Sequence, residues 1–143
     1  MSDLEVTMVR PDINYWAALV AAVAYWVIGA IWYAKPLFGS AWMQSIGKTE
    51  EQIQKEFSPL QLVWVFITAW FVAYGIARID LWHGGTTLLD TILVAVLVWF
   101  CFSVMTVLMH DIMEKRPGKL TMINIMYQLF GFLVMGLIIG LWR

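Results

Sequence analysis

Charged residues are scarce in this sequence: they occupy 13% of its 143 positions, whereas hydrophobic residues occupy 62%. A soluble domain of this length has too little interior to bury so many apolar side chains. The net charge of -1, without any run of Lys and Arg interleaved with aromatic residues, also excludes the basic surface that nucleic-acid binding requires. The composition therefore predicts one integral membrane domain that has the lipid bilayer as its surroundings and no nucleic-acid partner.

Residues that carry enzyme chemistry are equally few. The one cysteine, Cys101, lies inside an apolar run, and the only histidines are His83 and His110. His110, Asp111 and Glu114 lie within one helical turn, but a helical zinc motif of the HExxH type needs a second histidine there. The sequence also lacks a nucleophile–base pair and a glycine-rich phosphate loop. We therefore expect no metal, no cofactor and no enzymatic activity.

Charged segments divide the chain into four apolar runs, at about 13–33, 59–77, 87–109 and 120–142. Each is close to the roughly 20 residues that an α-helix needs to cross the hydrocarbon core of a bilayer. Ser58 before Pro59, and Thr87 three residues before Asp90, are typical of helix starts. The prediction is an all-α fold, an integral membrane four-helix bundle.

The connection between the first two runs has a helical pattern of its own. Apolar residues at helical spacing lead to Gly47, and Thr49 with Gln52 matches a capping box. The pattern predicts one or two short interfacial helices. Their expected anchors at the membrane surface are four aromatic residues: Trp32, Tyr33, Phe38 and Trp42.

Small residues mark the expected helix-packing surfaces, because helices in lipid associate through close approach of their backbones. Ala69, Ala73 and Ala77 recur every four residues in the second run, and Gly136 and Gly140 form a GxxxG pattern in the fourth. This surface could serve packing within the chain or a homo-oligomer.

Polar residues form two stripes in the third and fourth runs, at matching helical offsets. The stripes are Ser103, Thr106 and His110 on one side and Thr121, Asn124 and Gln128 on the other. In an antiparallel hairpin these residues would meet at similar depths, and polar groups in hydrocarbon need such partners. The stripes are either interhelical glue or the lining of a ligand-binding cavity.

Several segments resemble a known family. They are Ile13-Asn14-Tyr15-Trp16-Ala17, Gly29-Ala30-Ile31-Trp32-Tyr33, Pro36-Leu37-Phe38-Gly39, Ala41-Trp42-Met43, Arg116-Pro117 and the segment from Ile123-Asn124 to Gly140-Leu141-Trp142. Together they resemble the bacterial and fungal membrane family known as "domain of unknown function 1761". The resemblance implies four helices and no assigned biochemistry.

Two classes of function stay open. An oligomeric transport or small-ligand/lipid-binding protein would use the polar stripes as its site. A non-catalytic accessory subunit would instead pack against a larger membrane complex, and its stripes would only hold its own helices together.

Basic residues predict the orientation in the membrane, since cytoplasmic loops are enriched in Lys and Arg. The first and third loops carry six of them: Lys35, Lys48, Lys55, Lys115, Arg116 and Lys119. The termini and the second loop carry three: Arg10, Arg78 and Arg143. We therefore predict a multi-pass protein of the cell membrane with cytoplasmic first and third loops and both termini outside.

Cysteine labelling tests this topology. In a Cys101→Ala background, a cysteine at Gly84 should react with an impermeant reagent from outside intact cells, and a cysteine at Thr49 only after permeabilisation. Labelling of both positions from one side would eliminate the four-span arrangement. Reversed sidedness would eliminate only the orientation.

Overall fold

The structure is a computed structural model that describes residues 12–142, and all regular secondary structure in this part of the chain is helical. Arg10 and Arg143, which enter the orientation argument, lie outside the described residues. The helices are α1 Tyr15–Trp32, α2 Ser40–Ile46, α3 Glu50–Glu56, α4 Pro59–His83, α5 Leu88–Val98, α6 Met105–Met113 and α7 Gly118–Leu141. A π-helical turn, Trp99–Val104, joins α5 and α6 into one span.

Within residues 12–142, four helical segments are long and apolar enough to cross a membrane: α1, α4, α7 and the joined span Leu88–Met113. Together with the helical content, this confirms the predicted all-α class with four membrane-spanning helices. The first loop contains the two short helices α2 and α3, preceded by a π turn that is kinked at Leu37. Their position at the membrane surface stays a prediction.

Helix starts follow the local signals in the sequence. Capping boxes begin α3 at Thr49, α4 at Ser58 and α5 at Thr87. At the last of these, the Asp90 N–H donates to Thr87 Oγ1 over 3.2 Å, and the Asp90 carboxylate accepts from the Thr87 N–H over 2.8 Å. Asp90 therefore acts as a helix-start residue, as its position predicts.

Helix α4 extends beyond its predicted end at residue 77, to His83. Of the charged residues of this extension, Asp80 is buried and Arg78 is half-buried. Asp80 is 3% exposed and accepts a hydrogen bond of 3.1 Å from Thr91 of α5. Arg78 donates to the Tyr74 hydroxyl over 3.3 Å. The helix continues past Ala77 because Arg78 and Asp80 each have a hydrogen-bond partner.

Helix α7 occupies the centre and packs along α1 on one side and α5 on the other. Its glycines allow this close approach. A Cβ at Gly131 would come within 2.2 Å of the Tyr25 ring of α1, and one at Gly136 within 3.0 Å of Ala95 of α5. A Cβ at Gly140 would lie 2.7 Å from Leu88. The GxxxG pattern therefore faces α5 of the same chain.

Helix α4 packs against the other helices through its stripe of three alanines. Ala69, Ala73 and Ala77 are 1%, 0% and 6% exposed and belong to the hydrophobic core. At the start of the same helix, Leu60 and Trp64 are 60% and 59% exposed. Helix α4 thus packs closely along its second half and presents an open apolar face at its start.

A pair of identical substitutions tests the close approach of α1 and α7. Gly131→Ala should destabilise the protein by about 1–3 kcal/mol, because the new methyl group overlaps the Tyr25 ring. Gly75→Ala in α4 meets nothing within 4 Å and should be neutral or stabilising, since alanine favours a helix interior over glycine. Thermal unfolding in detergent measures both. Equal effects would contradict this packing.

Candidate functional site

The two predicted polar stripes do not face each other. Thr106 and His110 are exposed on the outside of α6, and Ser103 lies half-buried in the π turn. On α7, Asn124 Oδ1 accepts a hydrogen bond of 2.8 Å from the hydroxyl of Tyr33, which follows α1. The predicted Thr106–Asn124 and His110–Thr121 pairs are therefore wrong, while ligand binding by these residues stays a prediction.

The π turn is the physical reason for this difference. Within Trp99–Val104 the hydrogen bonds span five residues, as in the bond from the Met105 N–H to the Phe100 carbonyl. Such a turn inserts one residue into the helical repeat. The inward-facing positions after the turn are Val104 and Asp111, which are 6% and 7% exposed. The predicted stripe of Ser103 and His110 lies one residue earlier and so misses the inward face.

Aromatic residues surround Asn124, which bonds to Tyr33 instead of Thr106. Tyr127 packs edge-on against Tyr33 and at a tilt against Tyr25, with ring centroids 5.3 and 4.9 Å apart, and its hydroxyl donates to the Tyr25 carbonyl over 3.4 Å. The half-buried Gln128 lies near this cluster in sequence, and its Oε1 is buried without a hydrogen-bond donor among the described residues. Asn124 and Tyr127 thus serve the contact of α7 with α1 and with Tyr33 at its end.

The four predicted anchors take part in the same contact. Trp32 stacks on Phe38 with centroids 4.4 Å apart, and its indole N–H donates to the Ile123 carbonyl of α7 over 3.2 Å. Tyr33 packs edge-on against Trp42 at 5.5 Å. These residues therefore fasten the first loop to α7, in addition to any role at the membrane surface.

Asp111 is the buried polar residue that the stripe argument missed. It accepts a hydrogen bond from the Thr121 hydroxyl, and its other oxygen lies 3.8 Å from Arg116 Nε. Arg116 Nε also lies 2.5 Å from Glu114 Oε2. Nothing in the sequence indicates that Asp111 faces inward, because the π turn has no clear sequence signal.

The connection after α6 holds Lys115 in a left-handed conformation, with φ of 54°. The Arg116 N–H donates to the Asp111 carbonyl over 2.9 Å, and the Lys115 N–H donates to the Ile112 carbonyl over 3.3 Å. This pair of bonds is a Schellman motif, in which glycine is the usual left-handed residue. Pro117 then precedes α7 and provides no side-chain cap.

A groove of about 370 Å³ lies between α6 and the start of α7. Its polar end is formed by Asp111, Thr121, Lys115 and Arg116. Its remaining walls are mainly apolar: Leu108, Ile112, Met122 and Ile125, with Gly118 at the helix start. The groove is open at its side, because Ile112 and Met122 are 71% and 60% exposed.

A smaller cavity of about 110 Å³ lies at the opposite end of the helices, beside Asp80 and Asn14. Asn14 caps α1 and also donates to the Trp142 carbonyl over 2.9 Å. A Cβ at Gly85 would come within 2.4 Å of the Asp80 carboxylate. This end is thus tightly filled, and the groove at the start of α7 is the larger of the two spaces.

The comparisons with known proteins add one finding. The family model described as "Protein of unknown function (DUF1761)" matches residues 16–140, which covers all four spanning helices. The match confirms the resemblance seen in the sequence. Searches of curated proteins and of solved structures gave no match.

A double-mutant cycle tests whether Asn124 bonds to Tyr33 and not to Thr106. Tyr33→Phe and Asn124→Ala should each destabilise the protein, and their coupling energy should be about 0.6 kcal/mol, typical of such bonds in membrane proteins. Thr106→Val combined with Asn124→Ala should be additive, because Thr106 points outward. Coupling in the second pair but not in the first would restore the stripe arrangement.

Proposed function

The chain belongs to the DUF1761 family of proteins of unknown function, and we propose that it binds an amphiphilic, lipid-like ligand in the groove between α6 and α7. The observation that carries the proposal is the division of this groove into a polar end and an apolar length. Its volume of about 370 Å³ lies in the range of small-ligand sites.

The depth of the groove in the membrane supports a lipid-like ligand. Its polar end lies at the loop between α6 and α7, and its apolar walls belong to the two spanning helices. In the bilayer, a ligand with a polar head and an apolar tail likewise has its head at the membrane surface and its tail in the hydrocarbon core. Under the orientation predicted from the basic residues, the groove opens at the cytoplasmic surface.

Transport through the middle of a single chain is less well supported. Beyond Gln128, the inward face of α7 is filled by Phe132, Met135 and Ile139, which are 3%, 0% and 6% exposed. In the part of the chain that the structure describes, close packing of this kind leaves no continuous polar route from the groove to the cavity at Asp80. Binding at one side of the membrane therefore fits the structure better than permeation.

Two matched tryptophan substitutions test the proposal. Met122→Trp fills the groove from a wall residue that is 60% exposed, whereas Leu97→Trp adds the same bulk to α5 from a residue that is 59% exposed and outside the groove. Native mass spectrometry after purification in mild detergent should find retained lipid with wild type and Leu97→Trp, and little with Met122→Trp.

Equal lipid retention by all three proteins would overturn the proposal. The same spectra report the number of chains per particle, which tests the predicted homo-oligomer. Co-purification of wild type with a larger membrane complex, without retained lipid, would instead favour the accessory-subunit alternative.

A further inference from the structure

We infer that the ligand of the α6–α7 groove is an anionic phospholipid, with its phosphate against Lys115 and Arg116 and its acyl chain along the apolar walls. This inference rests on the proposed binding function of the groove and specifies the chemical class of its ligand. Three independent features of the polar end support it: its charge, the start of α7 and the backbone of Lys115.

The polar end carries an excess of positive charge. Two cations, Lys115 and Arg116, line it with one carboxylate, Asp111, which leaves a net charge of about +1. Glu114 and Lys119 lie beside them in the chain and leave this sum unchanged. The carboxylates both lie near Arg116. Among the described residues, no carboxylate lies within ion-pair distance of Lys115 or Lys119. These two ammonium groups are therefore available to an anion.

The start of α7 adds hydrogen-bond donors to this charge. The N–H groups of Gly118 and Lys119 have no acceptor among the described residues, because Pro117 provides no side-chain cap. The space beside Gly118 is open, with nothing within 4 Å of a Cβ built there. Free N–H groups at the positive end of a helix dipole bind phosphate oxygens well.

The backbone of Lys115 is the third feature. A left-handed conformation is unfavourable for any residue with a Cβ, and glycine is preferred at this position of a Schellman motif. Lysine occupies it here, with φ of 54°, and lines the polar end of the groove. Backbone strain of this kind is concentrated at ligand-binding sites, where the side chain has a role that glycine cannot supply.

The apolar walls determine the source of the phosphate. Leu108, Ile112 and Ile125 continue from the cationic end along the membrane-spanning part of α6 and α7. Free phosphate has no apolar part that could contact these walls. A phospholipid contacts the cationic end with its headgroup and the apolar walls with its acyl chain. Basic sites between helices at the cytoplasmic surface bind anionic lipid headgroups in this manner.

The substitution Lys115→Gly separates the role of the side chain from that of the backbone. The full chain is placed in nanodiscs of equimolar phosphatidylcholine and phosphatidylglycerol, and retained lipid is identified by native mass spectrometry. Lys115→Gly should reduce retained phosphatidylglycerol about fivefold, the change expected for one basic residue near an anionic surface. It should also raise Tm, because glycine relieves the left-handed strain. Lys55→Ala, which removes one positive charge from α3, should change neither quantity.

A second variant acts in the opposite direction. Asp111→Asn keeps an acceptor for the Thr121 hydroxyl but removes a negative charge from the polar end. Retention of phosphatidylglycerol should increase. Reduced retention would overturn the inference, since it would indicate that the groove binds its ligand through the carboxylate.

Further outcomes separate this inference from the proposed function. If Lys115→Gly leaves phosphatidylglycerol retention unchanged while Met122→Trp abolishes retention of both lipids, the groove binds lipid without headgroup charge and only the inference fails. If Met122→Trp also has no effect, the proposed function fails as well. Displacement of phosphatidylglycerol by inorganic phosphate at constant ionic strength would identify free phosphate as the ligand and overturn the inference.

Discussion

Close contact of α7 with its neighbours is the interaction on which the rest of the structure depends. Hydrocarbon offers no hydrogen bonds and no hydrophobic drive between helices, so association needs close packing and internal polar partners. Helix α7 supplies both. Its glycines admit α1 and α5, and its carbonyls at Ile123 and Ile125 accept indole N–H groups from Trp32 and Trp99. Each of these bonds joins α7 to a different spanning segment.

The same kind of polar contact joins α4 to α5 and α6 to α7, at opposite ends of the protein. Asp80 of α4 accepts from Thr91 of α5, and Asp111 of α6 accepts from Thr121 of α7. Each contact gives a buried carboxylate a hydroxyl partner across the turn, which offsets part of its loss of hydration. The surroundings differ: the first contact lies in the tightly packed end, and the second borders a groove with cationic residues.

Sequence patterns predicted the structure wherever the interaction is local. The capping box of Thr87 and Asp90 is complete within three residues, so its geometry follows from the residue types alone. The bond between Tyr33 and Asn124 joins positions 91 residues apart and depends on how α1 and α7 rotate against each other. The predicted pairing of the two stripes failed for a similar reason, because one extra residue in the Trp99–Val104 turn changes the face of everything after it.

That π turn also lets the third span change length without changing its inward face. Loss of a single codon between Trp99 and Val104 would restore an uninterrupted α-helix and leave Asp111 facing Thr121, because the turn holds one residue more than the regular helix needs. The same residues wound as an uninterrupted α-helix, with none lost, would instead rotate α6 by roughly 100° about its axis and turn His110 towards α7. The turn itself therefore decides whether a carboxylate or an imidazole faces the groove.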